Sequence, residues 1–174
     1  MALRMRQYKP CDADKIVSWI KDEEGLREWS SDRFGDFPIT SEDINNKYHN
    51  CNGDCSELDN FYPMTAFDES GVVGHLIMRY TDAEKETIRF GFVIIDDSKR
   101  GKGYGKQMLI IALKYAFEVF GAKKVTLGVF DNNKQACCCY KAAGFTENGR
   151  ELLCELLGEQ WKIIEMEVLK EAHR

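Results

Sequence analysis

Apolar and polar residues in the first third of the chain predict one strand and two short helices. Residues 3–8 roughly alternate between apolar and polar, as a half-buried strand does. Helices are predicted for residues 12–20 and 41–48, each opened by a capping residue, Asp12 and Ser41 respectively. Residues 23–40 show no clear period and carry Gly, Asp, Ser and Pro, so we expect them to be irregular.

The middle of the chain changes to strand patterns. Residues 61–67 and 72–80 predict a hairpin that turns at Asp-Glu-Ser-Gly. Residues 87–95 predict the next strand, whose second half, Phe-Val-Ile-Ile, is apolar without alternation. Such a run is typical of a central strand that is covered on both faces of the sheet.

Helices and strands then alternate towards the end of the chain. Apolar residues at helical spacing predict a long helix over residues 105–120, followed by a strand over 125–129 and a helix over 133–143. A closing hairpin is predicted for residues 150–156 and 161–168, although the Leu-rich pattern of its first arm also fits a helix. The order of elements predicts an α/β fold with a mixed sheet and helices on both faces. We expect residues 1–174 to form a single domain.

Composition and charge narrow the class of protein. Of the 174 residues, 44% are hydrophobic and 30% charged, with only 3 prolines, which argues against a disordered or fibrous chain. The net charge of −5 makes nonspecific binding to nucleic acid or to an anionic membrane unexpected. The N-terminus has no apolar segment after its charges, and the longest apolar run, residues 108–113, is far too short to span a membrane. We therefore expect a cytoplasmic protein.

Seven cysteines are an odd number, and three of them are consecutive at positions 137–139. Consecutive helical positions point in different directions, so these three cannot share one metal face, and reduced thiols are expected. His49, Cys51 and Cys55 lie in a polar loop predicted for residues 49–60. They offer three soft ligands but lack a fourth and lack the CxxC spacing of structural zinc sites, so a plain loop is favoured and no metal is expected.

The segment from Asp96 to Lys106 leaves a buried strand and enters the longest helix. Its residues 99–106 carry four cations and no anion. Glycines allow several backbone N–H groups to face one point, and the helix start adds unpaired N–H groups and the positive end of its dipole. This pattern predicts a phosphate or pyrophosphate site, whereas glycines that served only to turn the chain would leave the cations unexplained. Neither the P-loop spacing nor the dinucleotide GxGxxG spacing fits.

Two motifs in this part of the chain resemble those of the GNAT N-acetyltransferases. Arg100-x-x-Gly103-x-Gly105 resembles the family's acetyl-coenzyme A loop, [QR]xxGx[GA]. Asn133-x-x-Ala136-x-x-x-Tyr140-x-x-x-Gly144-Phe145 resembles its second motif, NxxAxxxYxxxGF. The resemblance is clear over residues 61–145. It implies a mixed, mostly antiparallel sheet with a V-shaped splay at its centre, and acetyl-CoA as co-substrate.

The resemblance also implies roles for individual residues. Tyr140 would protonate the leaving thiolate of coenzyme A, a role that suits a phenol held near a thioester sulfur. A backbone N–H where the sheet splays would stabilise the oxyanion. Asn133 would touch the pantetheine arm or the acetyl end. The remaining residues expected at acetyl-CoA belong to the strand that pairs with pantetheine and to the pyrophosphate loop: Val93, Ile94, Ile95, Arg100, Gly101, Lys102, Gly103, Tyr104, Gly105 and Lys106.

The sequence departs from the family at the general base. The two positions where many members place a glutamate hold Arg89 and Gly128 here. Asp68, Glu86 and Asp96 are available carboxylates, but no spacing argument favours any of them. The base is therefore left unassigned, and a water relay or an already neutral amine would make one unnecessary.

The predicted function is transfer of an acetyl group from acetyl-CoA to a primary amine by direct attack. The alternative is a non-catalytic acyl-CoA-binding module of the same fold. The acceptor is expected to be an amine-bearing small molecule or peptide, with its identity and a homodimer left open. Carboxylates beside aromatic residues favour a cationic amine slightly. They lie where the family builds its acceptor pocket: Trp19, Glu23, Glu24, Trp29, Asp32, Phe34, Asp36 and Phe37.

Overall fold

The computed structural model describes residues 2–173 and contains one seven-stranded sheet. The order of strands in the sheet is β1-β2-β3-β4-β5-β7-β6, and only the β4–β5 pair is parallel. The predicted mixed, mostly antiparallel sheet is therefore confirmed. The strands are β1 (Arg4–Gln7), β2 (Tyr62–Asp68), β3 (Gly71–Tyr80), β4 (Thr87–Ile95), β5 (Lys124–Phe130), β6 (Thr146–Leu156) and β7 (Glu159–Leu169).

Helices cover both faces of this sheet. Their bounds are α1 (Ala13–Ser18), α2 (Glu23–Ser30), α3 (Ser41–Asn45), α4 (Tyr104–Lys114) and α5 (Lys134–Ala142). Helices α4 and α5 bury their apolar faces in one core with the sheet, and α1, α2 and α3 pack in a second core on the opposite face. Within residues 2–173 no helix is long and apolar enough to cross a bilayer.

Residues 23–30 of the segment expected to be irregular form helix α2, whereas residues 31–40 are irregular as predicted. The side chain of Asp22 accepts a hydrogen bond from Gly25 N at 2.7 Å and caps the helix, whose first turn is acidic. Of the two caps predicted from the sequence, Ser41 is wrong, because Thr40 caps α3. Asp12 occupies the N-cap position of α1 as predicted, but its side chain forms an ion pair with Arg6 at 2.8 Å instead of a cap hydrogen bond.

The first arm of the C-terminal hairpin is a strand, β6. Its Leu-rich pattern lacked alternation because β6 is the edge of the sheet and most of its side chains are exposed. The side chains of Leu152 and Leu153 are 55% and 61% exposed, so neither lies on a buried face of the sheet. Pairing with β7 from Thr146 to Leu156 determines its structure.

The centre of the sheet opens between β4 and β5. The two strands pair only from Thr87 to Arg89, and beyond Arg89 they have no shared register. A bulge follows on β4, because the register passes from Ile77↔Gly91 to His75↔Ile94 and leaves two β4 residues opposite one. Phe92 lies in the bulge with a φ of +48°, and its ring packs against Trp29 of α2 at 5.2 Å between centroids. The splay and the bulge thus position α2 over the opening.

Candidate active site

A cavity of about 830 Å³ occupies the opening between β4 and β5, within the usual range for a small-molecule site. Its walls come from α2, the end of β4, the start of α4, β5 and α5. Ten of the twelve residues that the sequence predicted for acetyl-CoA line it: Val93, Ile94, Ile95, Arg100, Gly101, Gly103, Gly105, Lys106, Asn133 and Tyr140.

The glycine loop has the backbone geometry that a phosphate site requires. Gly101 and Gly103 have φ values of +73° and +83°, a left-handed conformation that other residues adopt at a cost. Gly103 is the N-cap of α4, so the first N–H groups of that helix open towards the cavity wall. Gly105, in the first turn, faces α5, and a Cβ there would lie 2.7 Å from Cys139 Sγ. The loop therefore brings backbone N–H groups, a helix N-terminus and close packing to one place.

Lys102 and Tyr104, the other two predicted residues, direct their side chains elsewhere. The Lys102 ammonium donates to Ser98 O at 3.0 Å, and the Tyr104 hydroxyl donates to Asp68 Oδ2 at 2.9 Å. Only their backbone groups are oriented with the loop. The Arg100 side chain folds back on the end of β4 and donates from Nε to Ile95 O at 3.3 Å.

Asn133, the first residue of the second motif, both caps helix α5 and lines the large cavity. Asn133 is the N-cap of α5, with its Oδ1 accepting from Ala136 N at 3.1 Å, which explains the NxxA spacing. Its amide nitrogen has no hydrogen-bond partner among residues 2–173 and lines the cavity with the rest of the side chain. Asn133 therefore positions α5 and still has donors for a ligand.

Tyr140 lies one turn from the end of α5 and is only 8% exposed. Burial raises the pKa of its phenol well above the usual value, with the neighbouring Cys139 thiol adding to the effect. In the described part of the chain, no residue forms a hydrogen bond with this hydroxyl. Tyr140 thus presents a protonated phenol to the cavity.

A smaller cavity of about 220 Å³ adjoins the first. The residues of β4 before the bulge line the small cavity, and those after it line the large one. Five residues line both cavities and form their junction: Glu28, Trp29, Gly128, Val129 and Phe130. The arrangement suits two substrates that meet at the splay, one from each side.

Arg89, at one of the two positions where the family resemblance implies a general base, forms an ion pair instead. Arg89 donates from both terminal nitrogens to the two oxygens of Glu165, at 2.7 and 2.8 Å. A Cβ on Gly128 would lie 2.8 Å from Arg89 and 3.1 Å from Glu165. Gly128 is therefore required for this bidentate pair to fit beneath the junction.

The carboxylate at the junction is Glu28, which the sequence interpretation missed. Asp68, Glu86 and Asp96 line neither cavity, and they bond instead to Ser70, Lys123 and Ser98. Burial raises the pKa of Glu28, the nearby Glu24 raises it further, and Arg100 opposes both. The sequence does contain a signal for helix α2, because Asp22 is a good N-cap residue and acidic residues follow it in the first turn. In such a helix Glu24 and Glu28 lie on one face, since they are four residues apart.

The aromatic and acidic residues expected around the acceptor divide into two groups. Trp19, Trp29 and Glu24 line the large cavity, and Trp29 and Asp32 line the small one. The others support the fold near the opening. Glu23 and Asp36 pair with Arg27, Phe34 stacks on Trp29 at 5.3 Å, and Phe37 packs in the second core.

The cysteines are all unpaired, and Cys138 and Cys139 line the large cavity. His49 and Cys51 are exposed and Cys55 is half-buried. No group of three His, Cys, Asp or Glu side chains in residues 2–173 is arranged to hold a metal ion.

Residues 2–146 of the chain match the family model described as acetyltransferase (GNAT) domain. A spermine/spermidine N(1)-acetyltransferase of Bacillus subtilis (strain 168) is 30% identical over 104 residues, which cover 57% of this chain and 68% of that protein. The spermidine N-acetyltransferase of Vibrio cholerae, solved with CoA and spermine, superimposes with a TM-score of 0.79 at 20% identity, covering 98% and 97% of the two chains. A structure described as that of a candidate phosphinothricin N-acetyltransferase gives 0.74 at 22% identity, covering 97% and 98%.

Proposed function

We propose that Tyr140 and Glu28 take part in the reaction that this chain catalyses. The chain belongs to the GNAT acetyltransferase family. The chain is an N-acetyltransferase that moves an acetyl group from acetyl-CoA to an amine. The observation that carries the assignment of roles is the pair of cavities meeting at the β4–β5 splay, with Tyr140 in the wall of one and Glu28 at the junction.

Acetyl-CoA binds in the large cavity. Its pyrophosphate lies on the N–H groups of the Arg100–Lys106 loop and the start of α4, where two left-handed glycines and the helix dipole favour an anion. Its pantetheine arm runs along Val93–Ile95, whose backbone has no partner strand on the β5 side because the strands have separated. The thioester then lies at the junction.

The chemistry divides between the two walls of the junction. Glu28 takes a proton from the ammonium form of the acceptor, and its raised pKa makes it a stronger base than an ordinary carboxylate. The neutral amine attacks the thioester carbonyl, a bond from nitrogen to carbon forms, and the oxyanion is held by a backbone N–H at the bulge. Tyr140 then donates its proton to sulfur as the carbon–sulfur bond breaks, and CoA leaves as a thiol. The amide nitrogen, which still carries one proton too many after the attack, returns a proton to the phenolate of Tyr140, and Glu28 releases its proton to water.

A small-molecule acceptor fits this site better than a protein chain. The cavity on the acceptor side holds about 220 Å³, below the usual size of a drug-like site. The relatives named as polyamine acetyltransferases support the same size class. Glu28, which lines both cavities at their junction, favours approach of a positively charged amine.

Thiol release from acetyl-CoA with a panel of amines tests the reaction, and a matched pair of glycine variants tests the binding loop. Gly103→Val should weaken acetyl-CoA binding by about tenfold or more, because two or three N–H bonds to phosphate are worth about 1 kcal/mol each. The protein itself has room there, since the nearest atom to a Cβ is Gln107 Nε2 at 3.8 Å.

Gly121→Val is the control for backbone strain. Gly121 also has a positive φ, +73°, and no atom lies within 4 Å of a Cβ built on it. It follows the helical turn Tyr115–Val119 that continues α4, so it lies at the opposite end of that helix from the glycine loop. Both variants should lose a similar free energy of unfolding, whereas only Gly103→Val should lose affinity. Equal affinities in the two folded variants would refute the phosphate site. Binding of acetyl-CoA without thiol release for any amine would instead identify a non-catalytic acyl-CoA-binding module.

A further inference from the structure

The small cavity contains a guanidinium that has no carboxylate partner. Arg79 lies near the end of β3, half-buried, and lines the small cavity. Neither an ion pair nor a hydrogen bond joins its side chain to any residue from 2 to 173. Burial lowers the pKa of Arg79 below the usual value for arginine, Cys55 opposes this effect, and Arg89 and Arg33 add to it. The protein therefore maintains a partly desolvated positive charge here without neutralising it.

The other two arginines of the small cavity are neutralised by acidic partners. Glu165 binds Arg89 through two short hydrogen bonds, and Asp32 lies 3.8 Å from the exposed Arg33. Arg79 differs from both because its positive charge remains available. A buried charge without a partner is costly, and an arginine fork fits a carboxylate or phosphate group through two parallel hydrogen bonds.

We infer that the acceptor is a small amine that also carries an oxyanion group, a carboxylate or a phosphate, and that Arg79 binds this group. The inference rests on the proposed function, because it assigns the acceptor to the small cavity. The amine would lie at the junction beside Glu28, and the acidic group would lie in the small cavity against Arg79. A zwitterion of amino-acid type satisfies both ends of the site.

The same charges disfavour a linear polyamine in this orientation. A second ammonium group directed into the small cavity would meet the positive charge of Arg79, which no acidic partner neutralises among residues 2–173. Like charges at such distances in a partly desolvated site repel more strongly than in water. Glu28 at the junction still attracts the amine end, so the two ends of the acceptor are distinguished by charge.

The test uses acceptors matched in length. Pentylamine, 1,5-diaminopentane, 5-aminopentanoate and 4-aminobutyl phosphate differ only in the group at the far end of the chain, and a set of α-amino acids extends the series. We expect kcat/KM to be highest for the acceptors with an acidic group. Arg79→Gln should raise KM for those acceptors by about 10- to 100-fold, the worth of a charged hydrogen-bonded pair. The same substitution should leave the KM for pentylamine unchanged, because pentylamine has no acidic group.

Two controls separate this effect from folding and charge. Arg150→Gln removes an exposed arginine of β6 and should change nothing. Arg79→Lys keeps the charge but not the fork, and it replaces Arg79→Gln if the latter fails to fold. A preference for 1,5-diaminopentane, or a KM for 5-aminopentanoate that does not respond to either substitution, would overturn the inference.

A binding measurement distinguishes this failure from failure of the proposed function. Calorimetric titration of 5-aminopentanoate into the protein saturated with CoA reports on Arg79 without requiring turnover. Arg79-dependent binding with no acetylation of any amine would support the anion site and refute catalysis. Acetylation of amines with no Arg79-dependent binding would support catalysis and refute the anion site.

Discussion

His75 makes the stability of the fold depend on pH in a way that can be measured. It is fully buried in β3, and the Tyr48 hydroxyl lies 2.7 Å from its Nε2. The rings of Tyr8 and Tyr48 lie 5.7 and 5.6 Å from the imidazole. Burial lowers the pKa of His75 to about 3, although the negative charge of Asp12 opposes the shift.

The sign and size of the effect follow from linkage. The unfolded chain binds a proton at His75 below about pH 6.5, whereas the folded chain remains neutral there until about pH 3. The unfolded state therefore holds more protons between these values, and stability falls as the pH is lowered. Between pH 7.5 and pH 5.0 the lost free energy of unfolding is about 2 kcal/mol from this residue alone.

Urea unfolding at pH 7.5 and 5.0 measures this difference. His75→Gln should be less stable than the wild type at pH 7.5, because Tyr48 loses its partner, but should lose about 2 kcal/mol less on acidification. His49→Gln removes an exposed histidine and serves as the control. If the wild type and His75→Gln lose the same free energy between the two pH values, the imidazole is not held neutral and the argument is wrong.

Local sequence signals predicted the strands and the glycine loop. The bounds of β4 were predicted to the residue, because its threonine start, its apolar end and the turn residues around it are all local. The loop was found because glycines and cations are visible without knowledge of the fold. Its side chains were harder to predict, since Lys102 and Tyr104 bond to residues that only the turn at Asp96–Lys99 and the β2–β3 hairpin bring near.

The acceptor side depended on contacts between distant parts of the chain. Arg89 and Glu165 are 76 residues apart, and nothing local indicates that they form an ion pair beneath Gly128. Arg79 has no ion-pair or hydrogen-bond partner for its side chain among residues 2–173, a property that no sequence pattern indicates. Helix α2 was missed because Gly25 in its first turn and the turn-forming residues after it masked a short amphipathic pattern.

Two further predictions address the proposed acid and base. Glu28→Gln should lower kcat/KM by about 100-fold at pH 7, and the loss should shrink as the pH approaches the amine pKa of about 10, where the acceptor supplies its own neutral form. A loss of the same size at every pH would show that Glu28 binds the ammonium group rather than removing its proton. Tyr140→Phe should lower kcat by about 100-fold and leave the affinity for acetyl-CoA unchanged, because the ring that lines the cavity remains. The loss should grow with a poorer leaving group, since an oxygen ester of CoA's alcohol analogue cannot depart without a proton, whereas a thiolate of pKa about 8.5 departs with little help. Equal rates for both enzymes with chemistry rate-limiting would assign the proton to water and leave Tyr140 a packing residue of α5.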